Sequence, residues 1–360
     1  MYVAWRDLRF AKGRFALMGA VVVLMTLLVG LVSGLTAGLG RGSTSAITEL
    51  SADHLVFASP ATGQKLSFTG STISQQQWQQ WQQVPGVRNA EPLGVSTTMA
   101  EAGGRTATLT ALGVEPGSGL SPDATAVSAG SAVLSAGAAD ALGATVGRTV
   151  MVSGKSLRIA AISGDASFSH LPVIWTSLTD WQRLAPGPST GGQHVTVIAV
   201  TTEPGADLAA ADQRLHTRTV TTSDSLSAIG SYSAENGSLQ LMRAFLFVIS
   251  ALVIGAFFTV WTIQRSGDVS VLKALGATNG YLLRDAVGQA ALLLAAGTAL
   301  GAAIAAGIGA AASGTVPFVL DASTVVFPAA VMIVLGVLGA ALSIRRITSI
   351  DPLTALGSAR

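Results

Sequence analysis

Apolar residues recur along this 360-residue chain in two different rhythms. Four stretches, 15–39, 244–263, 286–312 and 325–344, contain no Asp, Glu, Lys or Arg. At 25, 20, 27 and 20 residues, each can cross about 30 Å of hydrocarbon as a helix. A charge at mid-bilayer costs about 2.5–3.5 kcal/mol on insertion scales, so this depletion is what a lipid solvent imposes. The first stretch follows Arg6, Arg9, Lys12 and Arg14, a basic start that a cleaved secretory signal would share. Its 25 apolar residues exceed the roughly 7–15 of a signal core and favour a retained anchor.

Between the first two spans, residues 40–243 change rhythm and read as mixed α/β. Ile73, Trp78, Trp81 and Val84, separated by glutamines, predict an amphipathic helix over Ser71–Val84, capped by Ser71 or Ser74 and stopped at Pro85-Gly86. Thr106–Gly113, Thr149–Val152, Leu157–Ile162 and Val195–Thr201 read as short strands, with Ser153-Gly154-Lys155 as a hairpin turn. Helices are predicted at about Ser135–Leu142 and at Leu178–Leu184. The fold class is therefore membrane α-helical, with four transmembrane helices and an inserted α/β extracytoplasmic domain.

Charge gives the direction. Segments 1–14, 264–285 and 345–360 hold 10 of the 21 basic residues and a net charge of +6, whereas 40–243 carries −3. By the positive-inside tendency these three segments are cytoplasmic, both termini included. The 40–243 domain and the short 313–324 loop then lie outside. A charged fraction of 11%, against roughly 25% in soluble proteins, agrees with a multi-pass chain in the cell membrane. The absence of cysteine excludes disulfides, thiolate metal sites and a cysteine nucleophile.

Little in the chain suggests an enzyme. Ser153-Gly154-Lys155-Ser156 has the end of a phosphate-binding loop, but the glycine required five positions before Gly154 is Thr149, so it reads as a β-turn. ATP, if used, is bound by another chain. His54, His170, His194 and His216 lack ligand spacing and read as scattered surface or satisfied core residues. No G-x-S-x-G elbow supports a serine hydrolase. No permanently bound cofactor, resident metal or nucleic-acid partner is expected.

Two segments carry a family resemblance. Arg265-Ser266-Gly267-Asp268-Val269-Ser270-Val271-Leu272-Lys273-Ala274-Leu275-Gly276-Ala277-Thr278 lies between the second and third spans, and Arg345-Arg346-Ile347-Thr348-Ser349-Ile350-Asp351-Pro352-Leu353-Thr354-Ala355-Leu356 follows the fourth. With the order basic segment, helix, outside domain, three helices, they resemble the permease subunits of type VII ABC transporters, the MacB, FtsX and LolC group. The resemblance implies a homodimer in membrane lipid, partnered by two copies of an ATPase subunit, with the first two helices continuing outward as a stalk. It also implies that Val269, Leu272, Lys273, Ala274, Leu275 and Gly276 form a coupling helix docking on the ATPase. Periodicity alone puts Val269, Leu272, Lys273 and Gly276 on one face, and Arg6 and Arg9 are expected along the same surface. Gly297, Gly301 and Ala305 form a small-residue face suited to close helix contact.

The opening Leu8-Arg9-Phe10-Ala11-Lys12-Gly13-Arg14-Phe15 looks most like the haem-exporter branch of that group, the HrtB permeases. This implies haem as the substrate, taken from the membrane and expelled by mechanotransmission from the ATPase. Tyr232 or Glu235 is then the candidate iron ligand, Arg243 the partner of a propionate, and Asn236 a further binding residue. Met242 and Met99 are weaker candidates. The same residues also read as a solvated stalk carboxylate, a belt aromatic and a membrane-edge anchor. Other amphipathic cargo (an antimicrobial peptide, macrolide or lipoprotein) fits the same machinery. A signal relay of the FtsX kind, activating a cell-wall hydrolase, is the alternative of a different class.

Overall fold

The computed structural model of the protein describes residues 12–185, 193–264, 267, 271, 273, 275–312 and 316–348. It begins with α1 (Lys12–Thr48), β1 (His54–Ala58), β2 (Ile73–Ser74), α2 (Gln75–Trp81), β3 (Val87–Ala102) and β4 (Arg105–Val114). Next come β5 (Ser131–Leu134), α3 (Ala136–Leu142), β6 (Thr149–Val152), β7 (Lys155–Ile162), β8 (Ser167–Phe168), β9 (Leu171–Ser177) and α4 (Leu178–Leu184). The domain ends with β10 (His194–Val195), β11 (Val197–Thr202), α5 (Leu208–Leu215), β12 (Thr217–Thr221) and α6 (Thr222–Ser225). Three long helices follow, α7 (Tyr232–Gln264), α8 (Asn279–Ala312) and α9 (Ala322–Thr348). The chain divides into two compact units, Met1–Gly38 with Ser238–Arg360, and Leu39–Gly237.

In the first unit α1, α7, α8 and α9 are each long and apolar enough to cross a membrane. Lipid supplies no hydrophobic drive between helices, so close packing has to hold them together. The small-residue face read from the sequence meets α1. A Cβ at Gly297 would stand 2.9 Å from Val22 Cγ1, one at Gly301 only 2.6 Å from the Val23 carbonyl oxygen, and Ala305 Cβ lies 3.0 Å from a Cβ built on Gly30. Met18, Val22, Val29, Ile254, Phe258, Leu294 and Met332 fill the apolar centre. Asp321 starts α9: its carboxylate accepts from Thr324 N at 2.9 Å, and Thr324 Oγ1 accepts from Asp321 N at 3.0 Å. These bonds, with one from Ser323, hold the Asp321 carboxyl below its ordinary value, the Ser323 hydroxyl contributing most.

The second unit is built on a sheet ordered β12-β1-β11-β3-β4-β9-β5-β7-β6. The far end of β3 also pairs with β6, through Ala100↔Val152 and Glu101↔Met151, so six strands from β3 round to β6 close into a ring. One core holds Trp78, Trp81, Leu134, Leu142, Ile159 and Trp181. The other holds Ile47, Phe57, Phe68, Leu93, Leu112 and Trp175, with Phe68 edge-on to both Phe57 and Phe168. Gly94 and Gly113 are paired across β3 and β4, and a Cβ at either would fall within 2.4 Å of Trp181. Two absent side chains thus make the seat for that ring, whose Nε1 donates to Ser96 Oγ at 2.9 Å.

Several local expectations fit. The helix Leu178–Leu184 and the strand Thr149–Val152 have the predicted bounds, and Ser135 caps α3. Ser153 and Gly154, at φ 44° and 79°, make the β6–β7 turn. Others are corrected. The helix expected over Ser71–Val84 is only Gln75–Trp81, capped by Ser74, because Ile73 is drawn into β2 opposite Val195. The run Val195–Thr201 splits between β10 and β11. In keeping with the expected outward continuation of the first two helices, α1 runs on to Thr48, well past the charge-free stretch, since Ala46 and Ile47 are buried in the second core and Ser43, Thr44 and Ser45 are buried with them. Helix α7 likewise starts at Tyr232, ahead of the span beginning at 244.

Candidate functional site

The candidate cargo residues lie on the first turns of α7. Ile229 O accepts from Tyr232 N, and Ser231 O accepts from Glu235 N, so the helix is wound from its first residues. Tyr232 packs its half-buried ring against the second core. Three residues on, at a neighbouring position of the helix surface, Glu235 points its carboxylate to an unexpected partner. Glu235 Oε2 lies 2.7 Å from His170 Nε2, with the two side chains 45% and 37% exposed. Asn236 is half-buried. Arg243, eight residues further along the helix and counted with the membrane-spanning unit, is also half-buried.

His170 is placed by a turn of unusual composition. β8 and β9 pair through Ser167↔Pro172 and Phe168↔Leu171, leaving Ser169 and His170 as a two-residue connection. Both are left-handed, at φ 51° and 63°, a conformation that tight hairpins ordinarily give to Asn and Gly. Non-glycine residues held there cost of the order of 1–3 kcal/mol each. The neighbouring structure fixes them. Ser169 N donates to Ser43 O at 2.9 Å, His170 N to Gly42 O at 3.0 Å, and Ser167 N to Ser45 Oγ at 2.8 Å. Ser169 Oγ meets Ser231 Oγ at 3.2 Å. The turn is thus strapped to the end of α1 and to the start of α7. These bonds offset the cost of the turn, to which an exposed side-chain contact such as His170–Glu235 adds only about 0–1 kcal/mol.

The coupling segment is described in part; Val269, Leu272 and Ala274 lie outside the described residues, as do Arg6 and Arg9. Gly267, Val271 and Lys273 are helical. Leu275 N donates to Val271 O, and Gly276, at φ 93°, closes the turn with a bond from its N–H to Lys273 O. Thr278 Oγ1 then accepts from Tyr281 N at the start of α8. Val271 and Leu275, one turn apart, are 61% and 80% exposed, while Lys273 is half-buried. Val271 is not among the residues that periodicity put on one face. Met99 and Met242 are both exposed. Among the described residues no three His, Cys, Asp or Glu side chains gather as metal ligands. Away from α7, burial and the nearby Glu91 carboxylate raise the Glu115 carboxyl above its ordinary value, burial contributing more.

The sequence offered Glu235 as a candidate and gave no sign of its contact with His170. The two are 65 positions apart, and a lone histidine in a serine-rich loop carries no spacing signal. The only local hint is the short polar interval between two apolar runs, where a hairpin turn forces its two residues outward.

Family comparison completes the site's context. The MacB-like periplasmic core domain family matches residues 18–218, and the FtsX-like permease C-terminal family matches residues 241–352. The chain belongs to the MacB/FtsX permease family. This ABC transporter permease is 24% identical over 370 residues to a Staphylococcus epidermidis protein named as hemin transport system permease protein HrtB, covering 99% of each chain. It is 26% identical over 363 residues to a Staphylococcus haemolyticus protein of the same name, again covering 99% of each. The extracellular domain of the noncanonic ABC-type transporter YknZ from Gram-positive bacteria matches 48% of this permease and 99% of that domain, at 14% identity and a TM-score of 0.34. Permeases of this family imply an ATPase partner.

Proposed function

We infer that this permease exports haem from the membrane, driven by two copies of a partner ATPase acting on a homodimer of the chain. The cargo reading is carried by the end-to-end likeness to permeases named for hemin transport. Geometry supports it with a half-exposed carboxylate, Glu235, on the first turns of α7. Haem is an apolar macrocycle with two propionates and an iron that accepts oxygen ligands. Glu235 takes the iron, with Asn236 beside it, and Arg243 takes a propionate through charge-assisted hydrogen bonds. Tyr232, packed against the core, lines the site and is a poorer ligand. In the dimer the two Glu235 carboxylates face a shared space outside the membrane.

At the cytoplasmic end Val271 and Leu275 are the apolar knobs that enter a groove of the ATPase. The α/β unit is extracytoplasmic and both termini are cytoplasmic, as the distribution of Lys and Arg requires. The reading is tested in the reconstituted permease–ATPase complex. Haemin is expected to stimulate ATP hydrolysis, and Glu235→Ala to abolish both that stimulation and haemin resistance in cells. ATPase activity indifferent to haemin, with activation of a cell-wall hydrolase instead, would replace export by signalling.

A further inference from the structure

His170 has no part in the cargo or coupling assignments above, yet among the described residues it is the one side chain bonded to the Glu235 carboxylate. We propose that His170 is a positioning residue for Glu235: it holds Oε2 and leaves Oε1 to ligate the iron of an incoming ferric macrocycle. The proposal rests on the reading of Glu235 as the cargo carboxylate.

Three observations carry it. The contact is short, 2.7 Å, between two side chains that both reach solvent, so an arriving ligand can approach the pair. Glu235 Oε1 carries no bond from any described residue, whereas Oε2 is taken. The imidazole is also aimed by rigid structure: a two-residue left-handed turn strapped through Ser169 and His170 to Ser43 O and Gly42 O, and through Ser169 to Ser231 one helical turn before Glu235. A carboxylate on a flexible three-torsion stem, left alone at the surface, samples many rotamers, and fixing it on binding opposes affinity. Holding one oxygen beforehand removes that cost. Hydrogen bonds to the far side of a metal-ligating group orient it, and their loss commonly weakens metal affinity about 10–100-fold.

The test uses purified full-length permease titrated with haemin and followed by absorbance. His170→Asn keeps a residue that accepts the left-handed turn but falls short of the carboxylate; His170→Gln regains the reach. Asn is expected to weaken haemin binding about 10–100-fold and to alter the absorbance of the bound complex, and Gln to restore affinity to within a few-fold. His170→Asn combined with Glu235→Ala should bind no more weakly than Glu235→Ala alone. If His170→Asn does not accumulate as folded protein, His170→Gly, which fits the turn with no side chain, takes its place. Wild-type affinity and spectrum in His170→Asn, or an equal loss in the Glu235→Ala background, would overturn the proposal while the cargo site stands. Unchanged haemin binding in Glu235→Ala overturns both.

Discussion

The two units use glycine for opposite purposes. In the α/β unit Gly94 and Gly113 vacate space for a large ring, Trp181, and water supplies the force that drives the ring in. In the membrane unit Gly297 and Gly301 let the backbone of one helix rest against another, where the solvent gives no such force and contact itself has to suffice. Buried hydroxyls do not follow that division. Some of those in the α/β unit join caps and cross-strand bonds, as Ser135 does to Ala138 N and Val173 N. Hydroxyls buried without a partner among the described residues occur in both units: Thr26, Ser33 and Thr298 in the membrane unit, Ser43 and Thr176 in the α/β unit. The lesson is that one chain meets two solvents with two packing codes, and substitutions should be felt accordingly.

The largest effect is expected at the aromatic seat. Trp181→Ala should cost the α/β unit about 3–5 kcal/mol, seen as faster hydrogen exchange across β3 and β4 in the intact permease, with the membrane helices unaffected. Gly301→Leu should then cost the helix bundle about 1–3 kcal/mol or more, because the Val23 carbonyl cannot retreat from an inserted side chain; a lower thermal midpoint in detergent with an unchanged exchange pattern in the α/β unit would mark it. If both variants disturbed both units alike, the division into two packing codes would be wrong. A smaller, purely functional loss is expected from Leu275→Asp, which should lower ATPase stimulation in the reconstituted complex without moving either midpoint.

The subtlest contrast is in pH. Glu115 has a raised carboxyl, so its ionised form is disfavoured in the folded state. That penalty is absent below its ordinary value of 4.5, grows as pH rises toward the raised value and is complete above it. Glu115→Gln should therefore stabilise the α/β unit at pH 7 and flatten its stability between pH 4.5 and neutrality. Asp321 behaves in the reverse sense: its lowered carboxyl adds stability above 3.8 that is lost only as pH falls through the lowered value. Protection against exchange at the start of α9, corrected for the intrinsic pH dependence of amide exchange, should fall in acid below that point and stay level above it.

How far the sequence disclosed all this varies by scale. Lipid forbids charge over long runs, so four spans were legible, and local turn chemistry made Ser153-Gly154 and the Leu178–Leu184 helix legible too. The small-residue face at Gly297, Gly301 and Ala305 was visible because its spacing is helical. Strands β1, β5 and β9 were not read, since short buried runs of mixed residues lack a clean alternation of period two, and the long β3 and the mostly polar β12 were not read either. Ring closure through β3 and β6 depends on partners about fifty positions apart, which no local pattern encodes. The charge-free stretches do not mark where the helices end for a related reason: the continuation of α1 to Thr48 is decided by what Ile47 buries against. Glu235 was a candidate through a family likeness, and its contact with His170 stayed hidden because only tertiary structure brings the two together.

The closed arrangement of six strands has a bearing on survival outside the cell membrane. An open sheet offers unpaired amides to any passing chain and invites fibrous self-association. Sealing β6 onto β3 hides that border in part, and the edges left among the described residues, the five-residue β12 and the two-residue β8, are too short to template much. The α/β unit thereby carries its own protection against sticking to its neighbours.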